Sequence, residues 1–408
     1  MTNDPGVRPS RPSLTPPPFP STLAQPAHDP GARIPVPGGT VPVVPVASAA
    51  PRRGRAAAVW ATAVLVLVLV GLVGYFLSAI GPEASVLGMI IALVPLAGVL
   101  IAVRIIDRWE PEPRSLVVFA VAWGAIAAVG IALGVDLALS LVVGARDSAA
   151  DDAFMAVVQA PVVEELAKGL GVYLIFLAAR RAFDGPVDGV VYGALVGAGF
   201  AFTENIQYFA ISYLEGGAAE ATGAFFVRGI LSPFAHVMFT SITGFALGLA
   251  ARRGAKAGRA FGPWLLGLVG AIALHALWNG SAVFGDFFML YLTLQVPLFA
   301  VFIIGIIALR REEARLTRTR LSEYAAAGWF TPQEVDMLAT GAGRRVALAW
   351  ARTLRGDRRP LMRTFIEDAT ALAAARQRAI SGRDPRAVAD EGALLERTAA
   401  ARAALFAP

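Results

Sequence analysis

Ala160-Pro161-Val162-Val163-Glu164-Glu165-Leu166-Ala167-Lys168 sits inside a long apolar segment, and its reading decides the fold. Two adjacent carboxylates and a lysine one turn further on fall where the flanking residues spell a membrane-spanning helix. Ionisable side chains at that depth are expensive on any insertion scale, so such a cluster marks a functional site by default. The competing reading is a structural pair between packed helices, since Glu164 and Lys168 stand four apart on one face. The remaining chain decides between them only if other helices bring polar groups to the same depth.

Working outward, composition sets the class. Of 408 residues 56% are hydrophobic and 16% charged, against about a quarter charged in an ordinary soluble domain. Eight apolar stretches are predicted as spans: 57–80, 85–105, 115–143, 154–179, 187–211, 225–250, 261–284 and 287–309. Each is of the length a helix needs to cross the hydrocarbon. Period-2 alternation is absent, and isolated strands cannot satisfy their backbone in lipid. The expected fold is therefore an all-α polytopic integral membrane helix bundle of about eight transmembrane helices. The net charge of +6 arises from 36 basic and 30 acidic residues, and it points to basic membrane-facing loops, not to a nucleic-acid surface. Cys is absent, which excludes disulfides, thiolate metal sites and cysteine nucleophiles.

Basic residues cluster on alternate loops: Arg52, Arg53 and Arg55; Arg104, Arg108 and Arg114; Arg180 and Arg181; Arg252, Arg253, Lys256 and Arg259; Arg310 and Arg311. The positive-inside rule then places both termini in the cytoplasm of a plasma-membrane protein. Residues 1–50 are Pro-rich and predicted to be disordered, with His28 incidental there. The apolar run after them begins too far from Met1 for an ordinary signal peptide and reads as a retained anchor. The membrane domain is predicted over 51–310. Residues 311–408 form an Ala/Arg-rich cytoplasmic tail with amphipathic helices at about 332–339, 343–354 and 358–380. In that tail Arg344, Arg345, Arg352, Arg355, Arg358 and Arg359 could rest against anionic membrane lipid. Glycines at 189, 193 and 197 recur every four residues and predict close backbone packing of the fifth span.

Depth arithmetic at 1.5 Å per residue brings polar groups together. Glu164 and Glu165 lie roughly 15 Å from the outer end of span four, Glu204 and Asn205 roughly 12 Å deep in span five, and His236 roughly 16 Å deep in span six. His275 and Asn279 approach the same outer-middle layer from span seven. Three carboxylates and two imidazoles in one layer suit a divalent metal with one carboxylate left for general-base work. No HExxH motif occurs. A hydrolase, an ion- or proton-coupled transporter and a structural network all remain open at this point.

Four ordered motifs then add a resemblance. Glu164-Glu165-Leu166-Ala167-Lys168, Phe200-Ala201-Phe202-Thr203-Glu204-Asn205, Ser232-Pro233-Phe234-Ala235-His236 and Leu274-His275-Ala276-Leu277-Trp278-Asn279 resemble the signatures of PrsW-like intramembrane proteases, distant relatives of the CAAX prenyl-protein proteases. The run Asp107 to Pro113 is similar to a further signature, and the resemblance covers about 85–309. It implies a metal-dependent endopeptidase of membrane-anchored protein substrates, such as anti-sigma factors cut at a site-1 position. It also implies His236, His275 and Glu164 or Glu204 as ligands of a divalent ion, Zn2+ first. The remaining glutamate of the 164–165 pair would be the base, with Asn205 and Asn279 as oxyanion or supporting donors. One departure is Thr240, where some members carry an acid.

Overall fold

The computed structural model describes residues 52–108, 110–144, 148–179, 181–382 and 384–406. The expected disordered segment 1–50, with His28, lies outside the described residues. The described chain is all helical. In order it runs α1 (Arg52–Tyr75), α2 (Pro82–Ile106), α3 (Arg114–Ala122), α4 (Val129–Val143), α5 (Ala149–Phe154), α6 (Ala160–Ala178) and α7 (Pro186–Phe225). Then follow α8 (Ala235–Arg252), α9 (Ala257–Phe284), α10 (Phe287–Leu290), α11 (Val296–Ala326), α12 (Pro332–Ala339), α13 (Gly341–Thr353), α14 (Arg359–Ser381) and α15 (Ala387–Phe406). Wide π-type turns join several of these end to end. One of them, Met155–Gln159, precedes Pro161, which has no N–H to offer the helix, and the Ala160 N–H bonds five residues back to Met155.

By length and apolarity, six stretches of the described residues can cross a membrane: Thr62–Ile80, Pro82–Ile106, Arg114–Val142, Pro186–Arg252, Ala257–Phe284 and Phe287–Ala326. The predicted count of eight is corrected on this criterion for two physical reasons. The stretch 154–179 carries Glu164, Glu165 and Lys168, which together remove it from the purely apolar class. Predicted spans five and six merge into one 67-residue stretch.

That stretch is folded back on itself. Gly216 and Gly217 leave helical geometry, and Gly217 has φ +63°, a conformation that only glycine adopts without strain. From this apex the arms run antiparallel. A Cβ at Gly189 would stand 2.0 Å from the Gly244 carbonyl oxygen, one at Gly193 2.7 Å from Ser241 Cα, and one at Gly197 2.4 Å from the His236 carbonyl oxygen. The four-residue glycine spacing is thus the seam along which α8 lies on α7 at backbone contact. α7 is buried continuously from Gly189 to Phe200, placing it at the centre of the bundle.

Below the membrane region α11 continues without a break across residue 310 and enters a helical module. Leu321, Tyr324, Phe365, Leu372 and Leu405 share its core. α15 has no counterpart in the sequence reading. Two of the six arginines expected at lipid, Arg344 and Arg358, are spent on the module itself, while the Arg359 side chain stays exposed. Arg344 is buried and donates to the Leu338 carbonyl at 2.6 Å and to Thr370 at 3.0 Å. Arg358 donates to the Leu405 carbonyl at 2.9 Å, and Arg359 pairs with Asp357 at 2.6 Å. The module docks through Arg378, which reaches Asp184 at 2.7 Å, and through Arg181, which pairs with Asp384 at 3.7 Å and with Asp390.

Between module and bundle lies the 107–113 loop. Tyr192 donates to Glu112 at 2.5 Å, and the Glu112 N–H donates to Asp107 at 2.8 Å. Burial pushes the Glu110 carboxyl up to about 8, and neighbouring Asp184 and Glu313 add to the shift. Burial likewise lifts Asp107 to about 6 and raises Glu112 well above the usual carboxylate range.

Two outcomes are expected. Gly189→Val should block closure of the α7–α8 hairpin, costing at least the ~1–3 kcal/mol of an overpacked core. Gly98→Val should be silent, because its Cβ meets nothing within 4 Å. Detergent gel filtration of the two variants checks this, and a monodisperse Gly189→Val protein of parental melting temperature refutes it. The second concerns pH. A carboxyl raised by burial keeps its proton in the folded state where the unfolded chain, at about 4.5 for Glu, has lost it. The stability from that retained proton is complete below about 4.5 and is lost as pH rises through about 8. Glu110→Gln should flatten the fall in melting temperature between pH 5 and 8.5. An identical slope in variant and parent excludes Glu110 as the cause.

Candidate metal and proton-transfer site

Lys168 is the centre of the site. It is fully buried, with its ammonium 2.6 Å from Glu165 Oε1, 3.3 Å from Glu164 Oε2 and 3.1 Å from His236 Nδ1, over the Phe200 ring at 4.0 Å. Both carboxylates come from its own helix at three and four residues, so the pairing is set within α6. Two indoles hold that helix in register: Trp123 donates to the Ala167 carbonyl and Trp264 to the Gly169 carbonyl, both at 2.9 Å.

Each imidazole has its own carboxylate. His275 Nδ1 lies 3.1 Å from Glu165 Oε1, while its Nε2 looks toward Glu164 at 3.9 Å. His236 Nε2 lies 2.8 Å from Glu204 Oε2. The proton positions follow from what the partners can do. An ionised carboxylate only accepts, so Nδ1 of His275 and Nε2 of His236 carry the hydrogens. An ammonium only donates, so His236 Nδ1 accepts. Thr240, standing where an acid was expected, donates its hydroxyl to Glu165 Oε2 at 3.0 Å. It satisfies the carboxylate's second oxygen without adding a negative charge. The His236 and His275 rings are nearly perpendicular at 5.1 Å, and Phe239 stacks on His275 at 4.8 Å.

Among the described residues, Glu164, His236 and His275 form the one group whose ligand atoms all lie within 4.8 Å of one another. A carboxylate and two imidazoles are a donor set that catalytic zinc sites use. Glu165 behind His275 is the outer carboxylate such a ligand histidine ordinarily has. The formal charges agree as well: Glu164, Glu165 and Glu204 face Lys168 and Arg228, leaving one negative charge for a cation to meet. The residues present therefore fit a divalent ion.

Glu204 is brought to the layer but not into this trio. It is held by His236 and by Arg228, a residue the sequence reading did not use. Asn205 accepts from Arg228 Nε at 2.7 Å, and Asn279 donates to the Ala156 carbonyl at 2.7 Å, inside the π-type turn before α6. Arg228 was legible only as a basic residue near the predicted start of span six, close to an outer loop that is otherwise poor in Lys and Arg. Exposure decides where the site opens. Glu165 and Lys168 are sealed, whereas the side chains of Glu164, Glu204 and Arg228 are 12%, 19% and 23% exposed.

Residues 112–305 match the model of a family described as PrsW family intramembrane metalloprotease. Over 144 residues, 35% of this chain, the sequence is 33% identical to Protease PrsW of Geobacillus kaustophilus. The match covers 58% of that relative's length. No solved structure matches. The trio Glu164, His236 and His275 falls within the matched segment, as does Glu204 beside it. Over residues 112–305 this chain is therefore similar to the PrsW family of intramembrane metalloproteases.

Proposed function

We propose that the protein is a metal-dependent intramembrane endopeptidase acting on membrane-anchored protein substrates, anti-sigma factors among them. The observation that carries this is the convergence of Glu164, His236 and His275 from three helices, with Glu165 oriented on His275. Eight crossings with both termini in the cytoplasm suit it. In support, the two arms of the α7–α8 hairpin are each long enough to span, and the α5–α6 stretch is of similar length. The basic loops fall on one side of such a path.

Glu164, His236 and His275 would hold the ion, Zn2+ first by donor type. When bound, it would polarise the scissile carbonyl and make water a nucleophile near neutral pH. The chain's own residues do the rest. Glu165 has both oxygens engaged, by Lys168 and His275 on one side and Thr240 on the other. It therefore fixes the His275 ring and does not take up the water's proton. Glu204 does the same for His236. Glu164 is the carboxylate hydrogen-bonded to neither imidazole and partly reached from outside. With Lys168 on Oε2 alone, it has a second oxygen beside the one it would offer the ion, and with that oxygen it accepts the proton of the attacking water and returns it to the leaving amine. Lys168 keeps the paired carboxylates together in a sealed, low-dielectric interior. Asn205, with its carbonyl on Arg228, has Nδ2 as the donor it can offer an oxyanion. Asn279 supports the site by fixing the turn that leads into α6.

Purified protein should carry close to one divalent ion per chain, lost in the His236→Ala, His275→Ala double variant and weakened at acid pH, where imidazoles are protonated. Chelation should stop cleavage of a single-span reporter, and zinc should restore it. Metal-free, chelator-resistant cleavage would falsify the assignment. A graded series checks the roles. Glu164→Gln should remove at least the 10²–10⁴-fold of a general base. Glu165→Gln, which leaves the trio intact, should cost about 10–100-fold. Equal losses in the two variants would overturn the division between proton transfer and orientation.

A further inference from the structure

Arg228 stands outside the metal trio, yet its side chain is held by three contacts near the site's opening. It rises from the π-type turn Phe226–Leu231 on the second arm of the hairpin and reaches across to the first. Its Nε donates to Asn205 Oδ1 at 2.7 Å, its Nη2 donates to Glu204 Oε2, and its guanidinium lies 3.9 Å over the Tyr208 ring. Asn205, Glu204 and Tyr208 are neighbours on α7, so three separate interactions fix one planar group. The oxygen that receives Nη2 is the same Oε2 that takes His236 Nε2 at 2.8 Å. A carboxylate on a flexible glutamate has many rotamers; this one is turned by the arginine so that its shared oxygen meets the imidazole.

We propose that Arg228 is a positioning residue of the hydrolytic site: it fixes Glu204, and through Glu204 it fixes the tautomer and ring angle of His236. The chain of cause runs from donor to acceptor. With Arg228 in place, Glu204 Oε2 is held against Nε2 and takes its hydrogen, and the His236 lone pair at Nδ1 is turned inward, where Lys168 now donates. Without Arg228, Glu204 loses its only arginine partner among the described residues and is free to turn toward the opening. With Nε2 no longer held, the His236 ring can rotate off Lys168, place its proton on either nitrogen and turn its lone pair out of the site. A lysine could keep the charge, but not the fork or the stacking, so it should serve only in part. The kinetic half of this inference rests on the peptidase reading, and the tautomer half does not.

The test uses the full-length protein after chelation, so that no ion fixes the ring, 15N-labelled at histidine; the sequence has 3 histidines, and a His236→Gln variant assigns the ring. Ring 1H–15N correlation spectra should show His236 with its proton on Nε2. In Arg228→Gln that signature should become a mixture of tautomers, in Arg228→Lys it should be retained in part, and the His275 signals should not move. On the membrane-anchored reporter, Arg228→Gln should lower kcat about 10–100-fold with KM within about twofold, the range of outer-sphere ligand support. Added to Glu204→Gln, it should cost less than about threefold more, because both changes cut one chain. If Arg228→Gln does not fold, Tyr208→Leu removes the ring beneath the guanidinium and should give a weaker form of the same spectral change. An unchanged His236 tautomer in Arg228→Gln, or in Tyr208→Leu where that is the variant measured, overturns the proposal. So does a loss confined to KM, or a full additional loss in the Glu204→Gln background. An altered tautomer in a protein that cleaves nothing leaves the Arg228–Glu204–His236 linkage standing and removes the peptidase reading instead.

Discussion

A fully buried ammonium at membrane depth must give all three of its protons to acceptors, and Lys168 does so: to Glu165, to Glu164 and to His236. The rest of the site follows from that requirement. Two acceptors are supplied from the same helix by spacing alone. The third must come from another helix, so α8 has to approach α6 closely enough for its first-turn histidine to reach. An unpaired charge here would cost several kcal/mol, and the surrounding apolar packing depends on the cluster being closed. Of the carboxylates that meet the lysine, Glu165 in turn orients His275, while His236 takes its carboxylate from Glu204.

Close approach is made possible by missing side chains. Gly189, Gly193 and Gly197 remove the Cβ atoms along one face of α7, and the α8 backbone occupies their place. In lipid there is little hydrophobic drive between helices, so contact at backbone distance and hydrogen bonds such as Ser241 to the Val190 carbonyl hold the pair. The seam ends at His236, beside Gly197. Further toward the apex the arms part enough for Arg228 to reach Glu204 and Asn205. One hairpin therefore sets both a rigid seam and a polar opening, and the position of His236 at their junction fixes its depth.

The end of the bundle that meets the helical module is held by different physics. Its contacts are ion pairs such as Arg378 with Asp184, set around carboxyls that burial drives toward the protonated form. Such a joint depends on protonation, whereas the glycine seam depends on shape. The module beneath has a closed apolar core of its own, with Tyr324 donating to Glu391 at 2.6 Å. It spends Arg344 and Arg358 on backbone carbonyls, which leaves Arg345, Arg352, Arg355 and Arg359 of the six tail arginines for a lipid-facing role.

The sequence by itself determined the membrane class, the helical character and the polar layer, because apolar runs, basic loops and the cost of ionisable groups in lipid are local properties of the chain. It also marked the α7 face on which another helix would lie, since glycine spacing needs no partner to be read. What it left open was pairing. Glu164 and Glu165 are adjacent in sequence, but successive side chains point about 100° apart around a helix. One turns to His275 and Thr240 and the other to the opening, and only the rotation of α6 in its packed position decides which. Arg228 showed only as a misplaced basic residue, because its meaning lies in a partner 24 residues away on the opposite arm. The span count differed for a related reason: a helix carrying Glu164, Glu165 and Lys168 is not apolar by composition, and those charges are tolerated only where α8 and α9 bring His236 and His275 to meet them. Composition and periodicity act along the chain, whereas hydrogen-bond partners are set across it, by helix rotation and depth.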